Sequence, residues 1–151
     1  MIYKINHKTY RSSDSDAEIF GSAKQSLLHP YYERMDIVLA DFGEEYENCV
    51  VGDFRPAIVI SKTSYNMFSP VMQVIPLTKQ LKAVDKEYHV FVDRNDCDGF
   101  EASGMCLVEQ MATIDRRQVR RKIAHITAPG LMSKIESAVR FHLGLYEEEL
   151  G

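Results

Sequence analysis

From Asp36 to Gln110 the chain runs as a series of short apolar segments rich in β-branched residues, most of them separated by polar turn residues. They are IVLADF (37–42), AIVISK (57–62), VMQVIPL (71–77), YHVFV (88–92) and MCLVEQ (105–110). Strands of this length and spacing, without helices alternating between them, exclude a doubly wound α/β sheet. They predict a mainly β (α+β) fold built on a small, strongly curved sheet or barrel. At 151 residues the expectation is one main domain, and 45% hydrophobic residues suffice for a core without disulfide or metal staples.

The two ends read differently from this β-rich middle. A strand or arm is expected over residues 1–10 and a helix near 15–28. Ser15 and Glu18 have capping-box spacing, Ile19, Phe20, Ala23, Leu27 and Leu28 recur at helical intervals, and His29-Pro30 stops the run. At the other end, Asp115-Arg-Arg-Gln-Val-Arg-Arg predicts a short basic turn or helix, and KIAHIT (122–127) a returning strand. Pro129 and Gly130 then open a C-terminal helix with Leu131, Ile135, Ala138, Val139 and Leu143 on or near its apolar face. The expected organisation is an extension over 1–34, the main domain over 35–145 and an acidic tail over 146–151.

Composition removes several function classes. No secretory h-region and no long charge-free apolar run is visible, so a soluble, cytoplasmic chain with no membrane partner is expected. Cys49, Cys97 and Cys106 are scattered and odd in number, which argues against both a disulfide framework and a zinc site. Cys106, inside MCLV, reads as core. A net charge of −4 means that any nucleic-acid site must be a local basic groove on an acidic molecule. There is no phosphate-binding G-x-x-x-x-G-K-[ST] and no G-x-S-x-G turn. The acidic turn Asp93–Gly99 fails as a calcium loop, because its glycine comes one position late and Gly104 holds the twelfth place. It reads as a surface hairpin loop. His7, His29, His89, His125 and His142 have no partner at helical spacing and read as ordinary strand or helix residues. No metal and no cofactor is expected.

Polar groups at the ends of neighbouring strands are what remains. Arg55 precedes Pro56 and the apolar AIVI; Thr78 closes VIPLT; Glu109-Gln110 closes MCLVEQ; Asp115 follows Thr-Ile. Such groups often converge on one rim of a small barrel, although taken singly a strand-end Arg or Thr more often faces solvent.

As an ordered set these residues resemble the MazF/PemK toxin family. The pattern runs from Asp36-Ile-Val-Leu-Ala-Asp-Phe through Gly52-Asp-Phe-Arg55-Pro-Ala-Ile-Val-Ile-Ser, then Ser64-Tyr-Asn66 and Ser69-Pro. It continues with Val74-Ile-Pro-Leu-Thr78 and Leu107-Val-Glu109-Gln110-Met-Ala-Thr113-Ile-Asp115, and closes on Leu143-Gly-Leu. The resemblance implies an SH3-like curved β-barrel of the MazF/PemK/CcdB type with a C-terminal helix, usually a homodimer. It also implies a type II toxin: an endoribonuclease cutting single-stranded mRNA at short sequences, neutralised by a cognate antitoxin and able to meet operator DNA together with it. Three departures stand out. Met35 replaces the glycine that usually opens the first strand, Ala112 stands where a basic residue is frequent, and the loop GEEYENCVVGDF is acidic and long.

On that resemblance Arg55 and Thr78 are the catalytic candidates. The guanidinium offers a planar fork for phosphate oxygens, and the hydroxyl a single donor. Gln110, whose amide both donates and accepts, is the candidate reader of base edges. Phe54, Tyr65 and Phe68 are candidate stacking surfaces, with core packing an equal alternative for the two phenylalanines, and Asp53 and Glu109 are candidate RNA contacts. A general base is open between Asp53 and Glu47, with Arg55 itself or water as further carriers of the proton. Two rival functions keep the fold: a CcdB-like toxin that binds gyrase, and a catalytically inactive barrel that binds antitoxin and operator DNA.

Overall fold

The computed structural model describes residues 2–5, 8–11, 31–43, 53–79 and 88–145. The predicted helix at 15–28, the acid Glu47 and the acidic tail lie outside the described residues. At the N-terminus the predicted arm is a hairpin, with β1 (Ile2–Ile5) antiparallel to β2 (Lys8–Arg11).

The main sheet contains β3 (Asp36–Asp41), β4 (Phe54–Val59), β5 (Val71–Thr78), β6 (His89–Val92), β7 (Cys97–Asp98), β8 (Gly104–Leu107), β9 (Ala112–Asp115) and β10 (Val119–Ile126). A one-turn helix, α1 (Thr63–Asn66), joins β4 to β5, and α2 (Pro129–His142) follows β10. The strand order is β6-β8-β5-β4-β3-β10-β7, with β9 added on β5. β9 and β10 are joined only by the turn Arg116–Gln118, yet one lies on β5 and the other on β3. That short link forces the sheet to curl.

Period-two alternation divides the apolar residues between two faces. Ile37, Ile58, Ile75 and Leu77 enter a core with Val90, Val92, Cys106, Ala124 and Ile126, closed by Leu131, Ile135 and Ala138 of α2. Val38, Ala40, Ala57, Val59, Met72, Val74 and Ile114 form a second core with Tyr32. Each fully buried Leu or Ile side chain contributes about 1.5–3 kcal/mol. The helix starts at Pro129, whose missing N–H costs nothing at a first-turn position. Leu143, expected at its apolar face, is the residue after the last turn and is exposed.

Several boundaries differ from expectation. β4 begins at Phe54, three residues early, because Phe54 and Arg55 still find partners in Asp41 and Ala40. β8 ends at Leu107, and Val108–Gln110 is a 3-10 turn. β10 begins at Val119 and so takes in Arg120 and Arg121, while Arg116 and Arg117 stay in the expected turn. The acidic segment from Asp93 holds a 3-10 turn, capped by Asp93 Oδ1 on Asn95 N at 2.8 Å, and then β7, which pairs with β10. Among the described residues no helix is long and apolar enough to cross a membrane.

Met35 explains why a glycine would suit its position. It is buried and has φ +73°, in the left-handed region that side chains avoid at a cost of about 1–2 kcal/mol. Its N–H donates to Val59 O at 2.7 Å and its O accepts from Ile126 N at 3.0 Å. One residue thereby ties the start of β3 to β4 and to β10, which holds the strained angle.

Candidate active site

Arg55 and Thr78 come to the same end of the sheet through ladder register. β4 and β5 pair Val59 with Val74, Ile58 with Ile75 and Ala57 with Pro76. Two residues further along each strand stand Arg55 and Thr78, both on the face of Ala57 and Val74. Arg55 lies opposite Ala40 of β3 and is half-buried, while Thr78 is one of the few buried polar residues. The second core thus ends in a guanidinium and a hydroxyl. On the far side of Thr78, β8 comes close because Gly104 has no side chain: a Cβ there would meet Thr78 O at 3.2 Å.

Asp53 and Phe54 adjoin this pair in sequence and are exposed. Asp53 adopts φ +63°, donates its N–H to Gly43 O at 2.6 Å and accepts from Phe42 N at 2.9 Å. These bonds pin the end of the connection from β3 just before Arg55.

Other sequence candidates lie elsewhere. Tyr65 and Phe68 belong to α1 and the turn after it, between the last residue of β4 and the first of β5. That is the opposite end of the two strands from Arg55 and Thr78, so the expected groove does not gather them. Gln110 and Glu109 sit in the turn between β8 and β9. Met105 is opposite Thr78 and Ala112 is opposite Val74, so this turn lies along β5 rather than at its end. Glu109 Oε1 is 2.9 Å from His89 Nε2, and its buried Oε2 has no protein partner.

Two histidines that sequence spacing left unpartnered therefore meet carboxylates across strands. Besides His89 with Glu109, His125 Nδ1 lies 2.7 Å from the buried Asp36 Oδ1. Lys122 Nζ is 3.1 Å from that same oxygen, and Asp36 Oδ2 accepts from Glu33 N at 2.8 Å. Glu33, Asp36 and His125 form the one grouping of potential metal ligands among the described residues. An ammonium and two further donors already satisfy Asp36 there, so the grouping fits a structural anchor better than a cation site.

The described thiols are poor nucleophiles. Burial holds the Cys106 thiol far above its ordinary range, with the Glu109 charge adding to the effect. Cys97 is pushed up to about 11, chiefly by burial and then by Asp96 and Asp93. Asp115 caps the turn before β10: its carboxylate accepts from Arg117 N at 2.8 Å and from the Arg117 guanidinium at 3.0 Å. That side-chain bond, more than any other influence, holds its carboxyl below the usual value.

One residue escaped sequence reading. Arg120 of β10 places its guanidinium carbon 4.8 Å from the centroid of the Phe54 ring. The available signal was Arg120-Arg121-Lys122, three consecutive charges that break strand alternation.

Residues 33–143 match the family model for the PemK-like, MazF-like toxin of type II toxin-antitoxin system. The chain is similar to endoribonuclease EndoA of Bacillus subtilis, 33% identical over 96 residues that span 64% of this chain and 81% of that protein. It is similar also to endoribonuclease MazF of Staphylococcus saprophyticus, 24% identical over 113 residues, 75% of this chain and 92% of that one. Among solved structures, MazF from Deinococcus radiodurans superposes with a TM-score of 0.64 at 22% identity, covering 76% of this chain and 97% of its own. A mycobacterial endoribonuclease in complex with its cognate antitoxin gives 0.62 at 17% identity, covering 77% and 98%. The structures speak for the fold; the family match and the Bacillus relative go further, and the chain belongs to the PemK-like, MazF-like toxins of type II toxin-antitoxin systems.

Proposed function

We propose that this chain is a toxin that cuts single-stranded RNA in the cytoplasm, with Arg55 and Thr78 as its catalytic residues. The observation that carries the reading is the register of β4 and β5, which brings a guanidinium and a hydroxyl to one rim of a barrel whose relatives are endoribonucleases.

RNA brings its own nucleophile. The 2′-hydroxyl attacks the adjacent phosphorus, the bond to the 5′-oxygen breaks, and a 2′,3′-cyclic phosphate and a 5′-hydroxyl result. The protein has to hold the attack in line and stabilise the charge that builds on the phosphoryl oxygens. Arg55 does so with two parallel N–H donors, and Thr78 adds a third to a non-bridging oxygen. The 2′-hydroxyl proton passes to a carboxylate of the connection before β4, Asp53 among the described residues, and water supplies the proton taken up by the departing 5′-oxygen. None of these steps requires a metal ion. Gln110, farther along β5, suits a base edge of a strand laid along the sheet.

The catalytic unit spans residues 35–145 and works as a homodimer, with residues 1–34 as an accessory extension. A cognate antitoxin is its protein partner, a reading supported by the antitoxin-bound mycobacterial relative. The gyrase-directed and catalytically inactive alternatives are not favoured, since the Bacillus and Staphylococcus relatives are both named endoribonucleases.

The test is cleavage of a short single-stranded RNA with end analysis. Activity should survive EDTA and leave cyclic phosphate and 5′-hydroxyl ends. Loss in EDTA with recovery in magnesium, or 5′-phosphate ends, would refute the mechanism.

A further inference from the structure

We propose that Arg120 and Phe54 form a stacked clamp that grips the nucleotide flanking the cleaved bond. The proposal rests on the ribonuclease reading above and assigns a binding residue that the sequence pattern did not contain.

Three observations carry it. First, β10 has one residue too many against β3 at this point: Val119 pairs with Ala40 and Arg121 with Leu39, so Arg120 is the extra residue of a β-bulge. Bulges turn a side chain out of the direction that strand alternation would give it. Second, the guanidinium carbon lies over the ring of Phe54, the residue before Arg55, at 4.8 Å from its centroid, and Phe54 remains 45% exposed. An exposed cation–π pair adds little to folding, so the fold alone gives little reason for this bulge and ring. Third, three neighbouring cations are committed to protein groups, while the exposed Arg121 shows no such contact among the described residues. Arg117 bonds Asp115, Arg116 donates to Asn66 O and lies over Tyr32, and Lys122 pairs with Asp36. Arg120 has its guanidinium on a ring and shows no carboxylate partner among the described residues.

A guanidinium over a ring still has N–H donors to offer a phosphate, and the exposed ring can accept a base. The platform is fixed from below: Gln118 Nε2 donates to Asp41 O at 2.9 Å, and Asp41 is the strand partner of Phe54. Successive residues of a strand point to opposite faces, so Phe54 lies across the rim from Arg55. A strand crossing that rim places one phosphate at Arg55 and a flanking nucleotide at the clamp. The clamp therefore acts on substrate binding.

The experiment measures binding of the full-length protein to a short single-stranded RNA carrying a 2′-deoxy sugar at the cleaved position, across a salt series. Cleavage of the unmodified RNA is followed in parallel. Removing one phosphate contact should flatten the slope of log affinity against log salt by about 0.7 in Arg120→Ala, the single-strand value per charge. Arg120→Lys should keep the slope and still bind several-fold more weakly, because an ammonium cannot stack as a plane. Phe54→Leu should weaken binding several-fold at constant slope. In each variant the loss of kcat/KM should fall on KM. Circular dichroism checks folding, and Arg121→Ala controls for bulk charge. The clamp is refuted if Arg120→Ala binds like wild type, if Arg121→Ala produces the same loss, or if the loss falls on kcat. A wild-type protein that cuts RNA while Arg120→Ala binds normally removes the clamp alone; a wild type that does not cut removes the reading beneath it.

Discussion

β4 and β10 lie on either side of β3 and use their arginines in opposite ways. β4 pairs with β3 without interruption from Phe54 to Ile58, and Arg55 takes the side that alternation dictates. β10 pairs with the same strand through two register shifts, one between Val119 and Arg121 and one between Lys122 and Ala124. Between them three successive cationic residues are exposed, where a regular strand with one face buried would alternate. A regular ladder fixes one group with high positional certainty, as an in-line displacement requires. An interrupted ladder spreads charge over a surface, which suits a flexible polyanion. The contrast separates a catalytic strand from a binding strand on one small sheet.

Breaking the regular side should have the largest effect. Arg55→Ala should lower single-turnover cleavage a hundredfold or more, roughly the loss of a preorganised oxyanion donor, while leaving the circular dichroism spectrum unchanged. Met35 ties β3 to both neighbours, so Met35→Gly tests whether they are held jointly. The glycine relieves about 1–2 kcal/mol of left-handed strain. It also empties a buried methionine site worth about 2–5 kcal/mol. Urea unfolding should therefore show a net loss of about 2 kcal/mol, the middle of the roughly 0–4 kcal/mol left by these two opposing contributions. Thr78→Val should slow cleavage only about five- to tenfold, the net worth of one neutral hydrogen bond.

The smallest effect belongs to the turn that launches β10. Asp115 has a lowered native pKa because Arg117 bonds its carboxylate, so its stabilising effect is present above the ordinary carboxylate value and fades as pH falls through the lower native one. Asp115→Ala should be less stable than wild type by urea melts at neutral pH. The two should converge in strong acid; a constant difference across pH would show that the charge is irrelevant.

How much of this could be read in advance follows the same division. The apolar runs announced β3, β4, β5, β6 and β8, because period two and β-branching are local properties. Arg55 and Thr78 stood out as strand-end polar groups, and only register shows that they share an end. What escaped depends on partners far away in the chain. β9 is four residues long and exists through its pairing with β5. The His125–Asp36 contact spans 89 positions, beyond any helical spacing. Tyr65 was a stacking candidate on the resemblance, yet β4 carries the chain to the other end of the sheet before Tyr65 is reached. The bulge at Arg120 left a trace in the charge run Arg-Arg-Lys, but Arg120 and Arg121 read equally well as the end of a basic turn begun at Asp115, with Lys122 opening the strand.

Catalysis at this rim depends on whether Arg55 works as a bidentate fork or as a mere positive charge. The direct measurement is single-turnover cleavage of a short RNA by Arg55→Lys, with folding confirmed by circular dichroism. Lysine keeps the charge and loses the planar pair of donors, so the rate should fall close to that of Arg55→Ala. A lysine variant that cuts at the wild-type rate would contradict the account, because charge alone would then suffice and the geometry at the rim of β4 and β5 would not be the source of catalysis.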